Sequence, residues 1–302
     1  MTRHVIALIS LISVPLALQD QPTFRSNVNL VRVDVLVTEG GRPLLKLLPS
    51  DFELLDNGVR HRIASVDFED VALDVLLMLD TSASVSGAAV EHLKIAAREF
   101  ITRLGQEDRA GLLTFSSHPV LRAPLSSNLG HVMRALSQVT ASGSTSLLDA
   151  LEVAVTLNAD PDRRACIVVF TDGQDNASWL NKDQVLEIAR RSGATIYAIT
   201  MDPAAAWLTM LTNGKTVDLP DDRFLRRLVD DTGGRLFYAD STRNIGAVFQ
   251  NVLREMKSRY VLAYYPERSL NAGWHDIEVR VHRPGVIVRA RRGYFAERSA
   301  AR

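Results

Sequence analysis

The amino-acid sequence reads as an α/β protein. A doubly wound, mainly parallel, Rossmann-like sheet flanked by helices is inserted in a small β-sandwich-like domain, which the N- and C-terminal strands form together. Two changes of rhythm predict this. Apolar residues alternate with period two as far as Val66, short apolar runs then alternate with helical stretches from Leu73 to about Lys257, and period two returns after Arg259. Strand–helix alternation builds a parallel sheet, because each crossover needs a helix before the next strand can pair. Neither flanking piece has enough strands to be stable alone, and two separate appendages would expose sheet edges, so one shared β unit is the economical arrangement.

The chain opens with a targeting pattern. Arg3 and His4 precede the apolar run Val5–Leu18, and Gln19-Asp20-Gln21-Pro22 ends it. A basic start, a short apolar run and a polar exit make residues 1–19 a secretory signal peptide and the protein an exported one, bound for the periplasm, the cell surface or the medium. The run falls short of the ~20 residues a spanning helix needs, and no later segment is long and apolar enough to cross a membrane. Ala17-Leu18-Gln19 is not an ideal cleavage site, and no cysteine follows the run to accept a lipid.

Residues 24–70 form the N-terminal β segment. Val31, Val33, Val35 and Val37 fall on one face of a strand, and Gly40-Gly41 marks a turn. Phe52-Glu53-Leu54-Leu55 runs into Asn57-Gly58, a strong hairpin signal, and Val59 to Val66 supplies the returning strand. In the central domain, 71–257, the strands are Leu73–Leu79, Ala110–Phe115, Cys166–Thr171, Thr195–Ile199 and Leu236–Tyr238. Several lack polar alternation, as strands covered on both faces do. Helical faces appear at Val90/Leu93/Ala97/Phe100/Ile101/Leu104, at Leu147/Leu148/Leu151/Val155 and at Ile245/Val248/Phe249/Val252/Met256, the last capped by Asp240-Ser241-Thr242. Residues 258–297 form the C-terminal β segment: Tyr260–Tyr265, then Ile277/Val279/Val281, then Val286/Val288 after the Pro284-Gly285 turn.

Composition narrows the function. Lys and Arg number 35, Asp and Glu number 35, and the formal net charge is zero, so attraction of the whole molecule to nucleic acid is not expected. The single cysteine, Cys166, rules out an internal disulfide and a thiolate zinc site, and its apolar strand marks it as an inert core thiol. The seven histidines are scattered without metal-ligand spacing.

Three loops carry chemistry. Asp80-Thr81-Ser82-Ala83-Ser84 ends the first central strand, Ser142-Gly143-Ser144-Thr145-Ser146 precedes a helix, and Phe170-Thr171-Asp172-Gly173 ends a later strand. In a doubly wound sheet such loops converge on the crevice where strand order reverses. Asp80, Ser82, Ser84, Thr145 and Asp172 thus become a candidate all-oxygen metal site. It suits a hard divalent cation, Mg²⁺ most naturally, with Ca²⁺ or Mn²⁺ as alternatives. The neutral hydroxyls leave the cation only partly neutralised, which favours an incoming Asp or Glu from a protein ligand.

These residues resemble, position by position, the metal-ion-dependent adhesion site of the von Willebrand factor type A domain, over roughly 73–257. The resemblance implies that Ser82, Ser84 and Thr145 coordinate directly or nearly so and that Asp80 and Asp172 act directly or through water. A ligand carboxylate then completes the shell. The flanks are similar to a group of exported bacterial proteins first noted in Acidobacteria, through Phe24-Arg25-Ser26, Asp51-Phe52-Glu53, Arg259-Tyr260-Val261-Leu262, Tyr264-Tyr265-Pro266 and Gly293-Tyr294-Phe295.

The expected function is an exported, metal-dependent, adhesion-type protein-binding module that is not an enzyme. The alternatives are an assembly subunit braced by the metal and, further off, a metal-assisted phosphate or ester hydrolase. No Gly-x-Ser-x-Gly elbow occurs, and Gly214-Lys215-Thr216 lacks the earlier glycine of a phosphate-binding loop. Trp207, Leu208, Met210 and Leu211 lie on a loop at the metal end of the sheet, where they either form an apolar rim for a partner or fold back as a local cap over the sheet. Trp179, on the loop after Asp172, either joins such a rim or is buried under the next helix. Arg280, Arg283, Arg289, Arg291 and Arg292 read as a solvated basic face.

Overall fold

A computed structural model describes residues 30–68, 71–157, 160, 163–172, 174–201, 222–266 and 272–296. The targeting segment 1–19, Phe24-Arg25-Ser26 and the rim residues Trp207, Leu208, Met210 and Leu211 lie outside the described residues.

The valine alternation of β1 (Val31–Glu39) buries Val33, Val35 and Val37. Two glycines with positive φ, Gly40 and Gly41, then reverse the chain into the short β2 (Arg42–Pro43). Between β3 (Phe52–Asp56) and β4 (Val59–His61), Asn57 and Gly58 sit at φ 49° and 77°. Both angles are positive, as the tightest hairpin turn requires. The single returning strand expected over Val59–Val66 does not form. It breaks at Arg62, so β4 stays paired to β3 while β5 (Ile63–Asp67) crosses to another sheet.

The central sheet is built from β6 (Leu73–Asp80), β7 (Arg109–Phe115), β8 (Pro119–Ser126), β9 (Arg164–Phe170), β10 (Thr195–Met201) and β11 (Leu236–Ala239). Its order is β11-β10-β9-β6-β7-β8, parallel except for β8. All eight residues of β6 are buried, because the strand is central and helices cover both faces. One face packs on α1 (Ala88–Thr102), α2 (Leu129–Ser137) and α6 (Ile245–Lys257). The other packs on α3 (Leu147–Thr156), α4 (Lys182–Ser192) and α5 (Arg223–Thr232). From β6 the chain builds outward on one side through β7 and β8, then returns to build β9, β10 and β11 on the other. The reversal therefore lies between the carboxyl ends of β6 and β9.

The Asp240-Ser241-Thr242 cap is not made. A short 3-10 turn, Thr242–Asn244, intervenes, and neither Ser241 nor Asn244 gives a side-chain cap. Thr242 instead lies 2.8 Å from His92 Nδ1 on α1. By contrast, Asn181 and Gln184 form a reciprocal capping box at the start of α4.

After α6 come β12 (Tyr260–Tyr264), β13 (Gly273–Val281), β14 (Val286–Ala290) and β15 (Gly293–Ala296). They join the first strands in two sheets, β14-β1-β12-β5 with β2 beside β1, and β15-β13-β3-β4. Val33, Val35, Val37, Phe52, Leu54, Tyr260, Leu262 and Tyr264 fill the space between them.

A polar seam joins these sheets to the central unit at the end away from the candidate loops. Arg164 Nε donates to Asp34 Oδ1 at 2.8 Å, and Arg259 Nε donates to the Tyr197 hydroxyl at 2.9 Å. The basic stretch is only partly the solvated face expected of it. Arg280 is exposed and paired with Glu278, whereas Arg291 donates to the Arg190 carbonyl and Arg292 bonds to Asp231 through its backbone N–H. Burial lowers the pKa of the Arg291 guanidinium below its ordinary value. Cys166 is buried, and burial pushes its thiol up to about 12, consistent with an inert core residue.

Candidate metal centre

β6 delivers Asp80 to the reversal point with no solvent exposure. Its Oδ1 accepts the Ser82 backbone N–H at 2.9 Å, and its Oδ2 accepts the Thr171 hydroxyl at 3.0 Å. The chain then turns through a short 3-10 segment, Ala83–Val85, which puts Ser82 and Ser84 on one side with their Oγ atoms 2.9 Å apart. From the end of β9, Asp172 reaches across and accepts the Ser84 hydroxyl at 3.1 Å through Oδ2. Its Oδ1 accepts the Gln174 N–H at 3.0 Å. Ser82, Ser84 and Asp172 thus form one continuous oxygen chain, with Asp80 tied to it through the Ser82 amide.

Thr145 arrives on the third loop. Ser142 N donates to Thr81 O at 2.8 Å, and Ala83 N donates to Gly143 O at 3.0 Å, so this loop lies against the Asp80 loop along its backbone. Gly143 has φ +85°, and a Cβ there would sit 2.6 Å from Ser117 Oγ. Only glycine takes this conformation at low cost. Thr145 is buried, its N–H bonds to Asn176 Oδ1 at 2.8 Å, and its carbonyl accepts from Asn176 and Ala177 at 3.0 Å each. The loops after β6 and β9 therefore both hold the Thr145 loop.

The oxygens of Ser82, Ser84 and Asp172 are spaced as a small hard cation requires. The oxygen–oxygen separations of 2.9 and 3.1 Å match the edge of about 3.0 Å that an octahedron with metal–oxygen bonds near 2.1 Å requires. Electrostatics point the same way. Burial pushes the Asp80 carboxyl up to about 6, hydrogen bonds from Ser82 hold it back, and the Asp172 charge adds to the rise. Two buried or half-buried carboxylates side by side are stabilised by a cation between them. No cluster of three or more His, Cys, Asp or Glu able to hold a metal occurs among the described residues. A cation at this point would draw on the hydroxyl oxygens as well as on the two carboxylates.

Several supporting residues escaped sequence reasoning. Thr171 is fully buried and orients Asp80. Asp175 and Ser178 accept the N–H of Leu148, at 2.9 and 3.1 Å, and so cap α3 from the neighbouring loop. Asp149 accepts the N–H groups of Trp179 and Leu180 in return. Only Thr171 had a signal, its place beside Asp172 at a strand end. Trp179 itself is 97% exposed, so of its two expected arrangements, an exposed rim or burial under the next helix, the exposed one is found.

Residues 75–174 match the family described as von Willebrand factor type A domain. A UPF0353 protein of Mycolicibacterium paratuberculosis is 24% identical over 200 residues, covering 60% of this chain and 60% of that protein. The matched region thus spans about three-fifths of that relative's length. Among solved structures, a von Willebrand factor type A protein from Catenulispora acidiphila shares the fold at a TM-score of 0.52 and 12% identity, over 88% of this chain and 73% of that one. Proximal thread matrix protein 1 from the mussel byssus, solved with zinc occupying its MIDAS motif, also has a TM-score of 0.52, at 16% identity over 67% of this chain and 49% of its own.

Proposed function

Because this chain carries a von Willebrand factor type A domain, we propose that it is an exported, metal-dependent protein-binding module, whose cation receives an Asp or Glu side chain from a protein ligand. The observation that carries the proposal is the oxygen chain Ser82–Ser84–Asp172 beside the buried Asp80. Asp80, Ser82, Ser84, Thr145 and Asp172 would hold the ion, with Mg²⁺ the natural choice and Ca²⁺ or Mn²⁺ as substitutes. The zinc bound by the mussel protein's MIDAS motif supports a divalent ion in this type of site. When bound, such an ion supplies a Lewis-acidic attachment point for a carboxylate.

The chain's own residues set the selectivity. Ser82 and Ser84 contribute neutral oxygens, so the two carboxylates balance a divalent ion without exceeding its charge, and the site adds no surplus negative charge to repel an anionic ligand. Thr171 and the Ser82 amide fix the orientation of Asp80, and the backbone bonds around Thr145 keep the third loop in register with the other two. A preorganised site loses little entropy on binding.

Export is part of the proposal and rests on the pattern in residues 1–19. No described helix is long and apolar enough to cross a membrane. The test is a pull-down from envelope extract with the wild type and Asp172→Ala, with and without EDTA. Capture of the same protein by the wild type in Mg²⁺, lost both on chelation and in the variant, supports recruitment through the metal. Capture that ignores both changes overturns it.

A further inference from the structure

Trp179 is the outlier among the exposed large apolar side chains of the described residues: it is 97% exposed, and the next, Leu48, is 63% exposed. Its indole contributes nothing to the core, yet the backbone beneath it is firmly held. Trp179 N donates to both oxygens of Asp149 at 3.1 Å, and Leu180 N donates to Asp149 Oδ1 at 3.0 Å. On one side Ser178 Oγ bonds Asp175 at 2.6 Å, and on the other Asn181 enters the capping box of α4. The bonds that cap α3 and α4 also fix the backbone at Trp179, so the exposed indole projects from a held position.

Its position ties it to the metal centre. Ala177 N bonds the carbonyl of Thr145 at 3.0 Å, and Trp179 follows two residues later, within a chain reach of about 7 Å from Ala177. Tryptophan loses only two side-chain torsions on being covered and is enriched among the residues that dominate interfaces. We propose that Trp179 is a second anchor for the ligand of the metal centre: one protein segment gives its carboxylate to the cation and lays an apolar or aromatic side chain on this indole. The proposal rests on the metal-dependent reading above. It favours a protein over a lipid surface because the carboxylates of Asp149 and Asp175 lie against the backbone that carries the tryptophan. Anionic headgroups would be repelled there.

The test selects a random linear peptide library on the full chain in Mg²⁺. The enriched peptides are then titrated against the wild type, Trp179→Ala, Trp179→Phe and Asp172→Ala, with and without EDTA. Enriched peptides are expected to pair an acidic residue with an apolar one a few positions away. Trp179→Ala is expected to weaken them roughly 30-fold, as the loss of an interface anchor does. Trp179→Phe should recover part of that, and chelation or Asp172→Ala should abolish binding. Metal-dependent binding that Trp179→Ala changes by less than about twofold overturns the anchor and leaves the metal reading standing. Binding that survives EDTA and Asp172→Ala overturns the metal reading, and failure to enrich any acidic peptide counts against both. A blue shift of indole fluorescence on phosphatidylcholine/phosphatidylglycerol vesicles in EDTA, lost in Trp179→Ala, assigns the residue to a membrane and also overturns the proposal.

Discussion

Tyr264→Phe tests whether strands from the two ends of the chain behave as one cooperative unit. Asp56 ends β3 and is 4% exposed. The Tyr264 hydroxyl donates to its Oδ2 at 2.7 Å, the Tyr294 hydroxyl donates to the same oxygen at 3.2 Å, and His275 Nδ1 lies 2.8 Å from Oδ1. Asp56 precedes the central unit, whereas the other three residues follow it. A hydrogen bond to a charged group contributes about 1.5–3 kcal/mol, so Tyr264→Phe should destabilise the protein by that amount in urea unfolding. Tyr294→Phe, which loses the longer bond, should cost about 1 kcal/mol. The double variant should cost more than the sum, because it strips Oδ2 of both hydroxyl donors. If Tyr264→Phe stays within about 0.5 kcal/mol of the wild type, the inference that this buried carboxylate holds the two ends together is wrong.

Burial alone would raise the Asp74 carboxyl, but hydrogen bonds and charges from Arg109 and Arg163 outweigh it and hold the group below its ordinary value of 3.8. A carboxyl depressed on folding contributes stability above its unfolded value and loses it as the pH falls through the folded one. Asp74→Asn should therefore be less stable than the wild type at pH 7, with the gap closing below about pH 4 in pH-dependent urea unfolding. Gly143→Ala should cost about 1–2 kcal/mol in thermal unfolding for its left-handed backbone, and Mg²⁺ affinity should fall with it as the loop shifts off Ala83.

Much of the central sheet is legible in the sequence because buried parallel strands leave uninterrupted apolar runs, as Leu73–Leu79 does. The sequence conceals β8, whose Pro119 and Pro124 suggest a loop. Prolines are tolerated there because β8 is an edge strand with one side unpaired. Likewise, the period-two pattern runs through Arg62 without a break, so nothing local reveals that the strand changes sheets there. At the candidate site, Asp80, Ser82, Ser84 and Asp172 are readable because strand ends at a topological reversal must converge. Asp149, Asp175, Asn176 and Ser178 are not readable, because they act through backbone N–H groups and carbonyls whose placement depends on loop conformation. The exposure of Trp179 belongs to the same class. An apolar residue in a loop has equal claim to either side of the surface until the bonds of its backbone are known.

Calorimetric titration of Mg²⁺ into the full chain and into Asp80→Ala and Asp172→Ala puts the metal centre to proof. The wild type should bind a single ion, and both variants should lose that binding while remaining folded. Equal binding by all three proteins, or none by the folded wild type at millimolar Mg²⁺, would contradict the assignment of these oxygens to a cation.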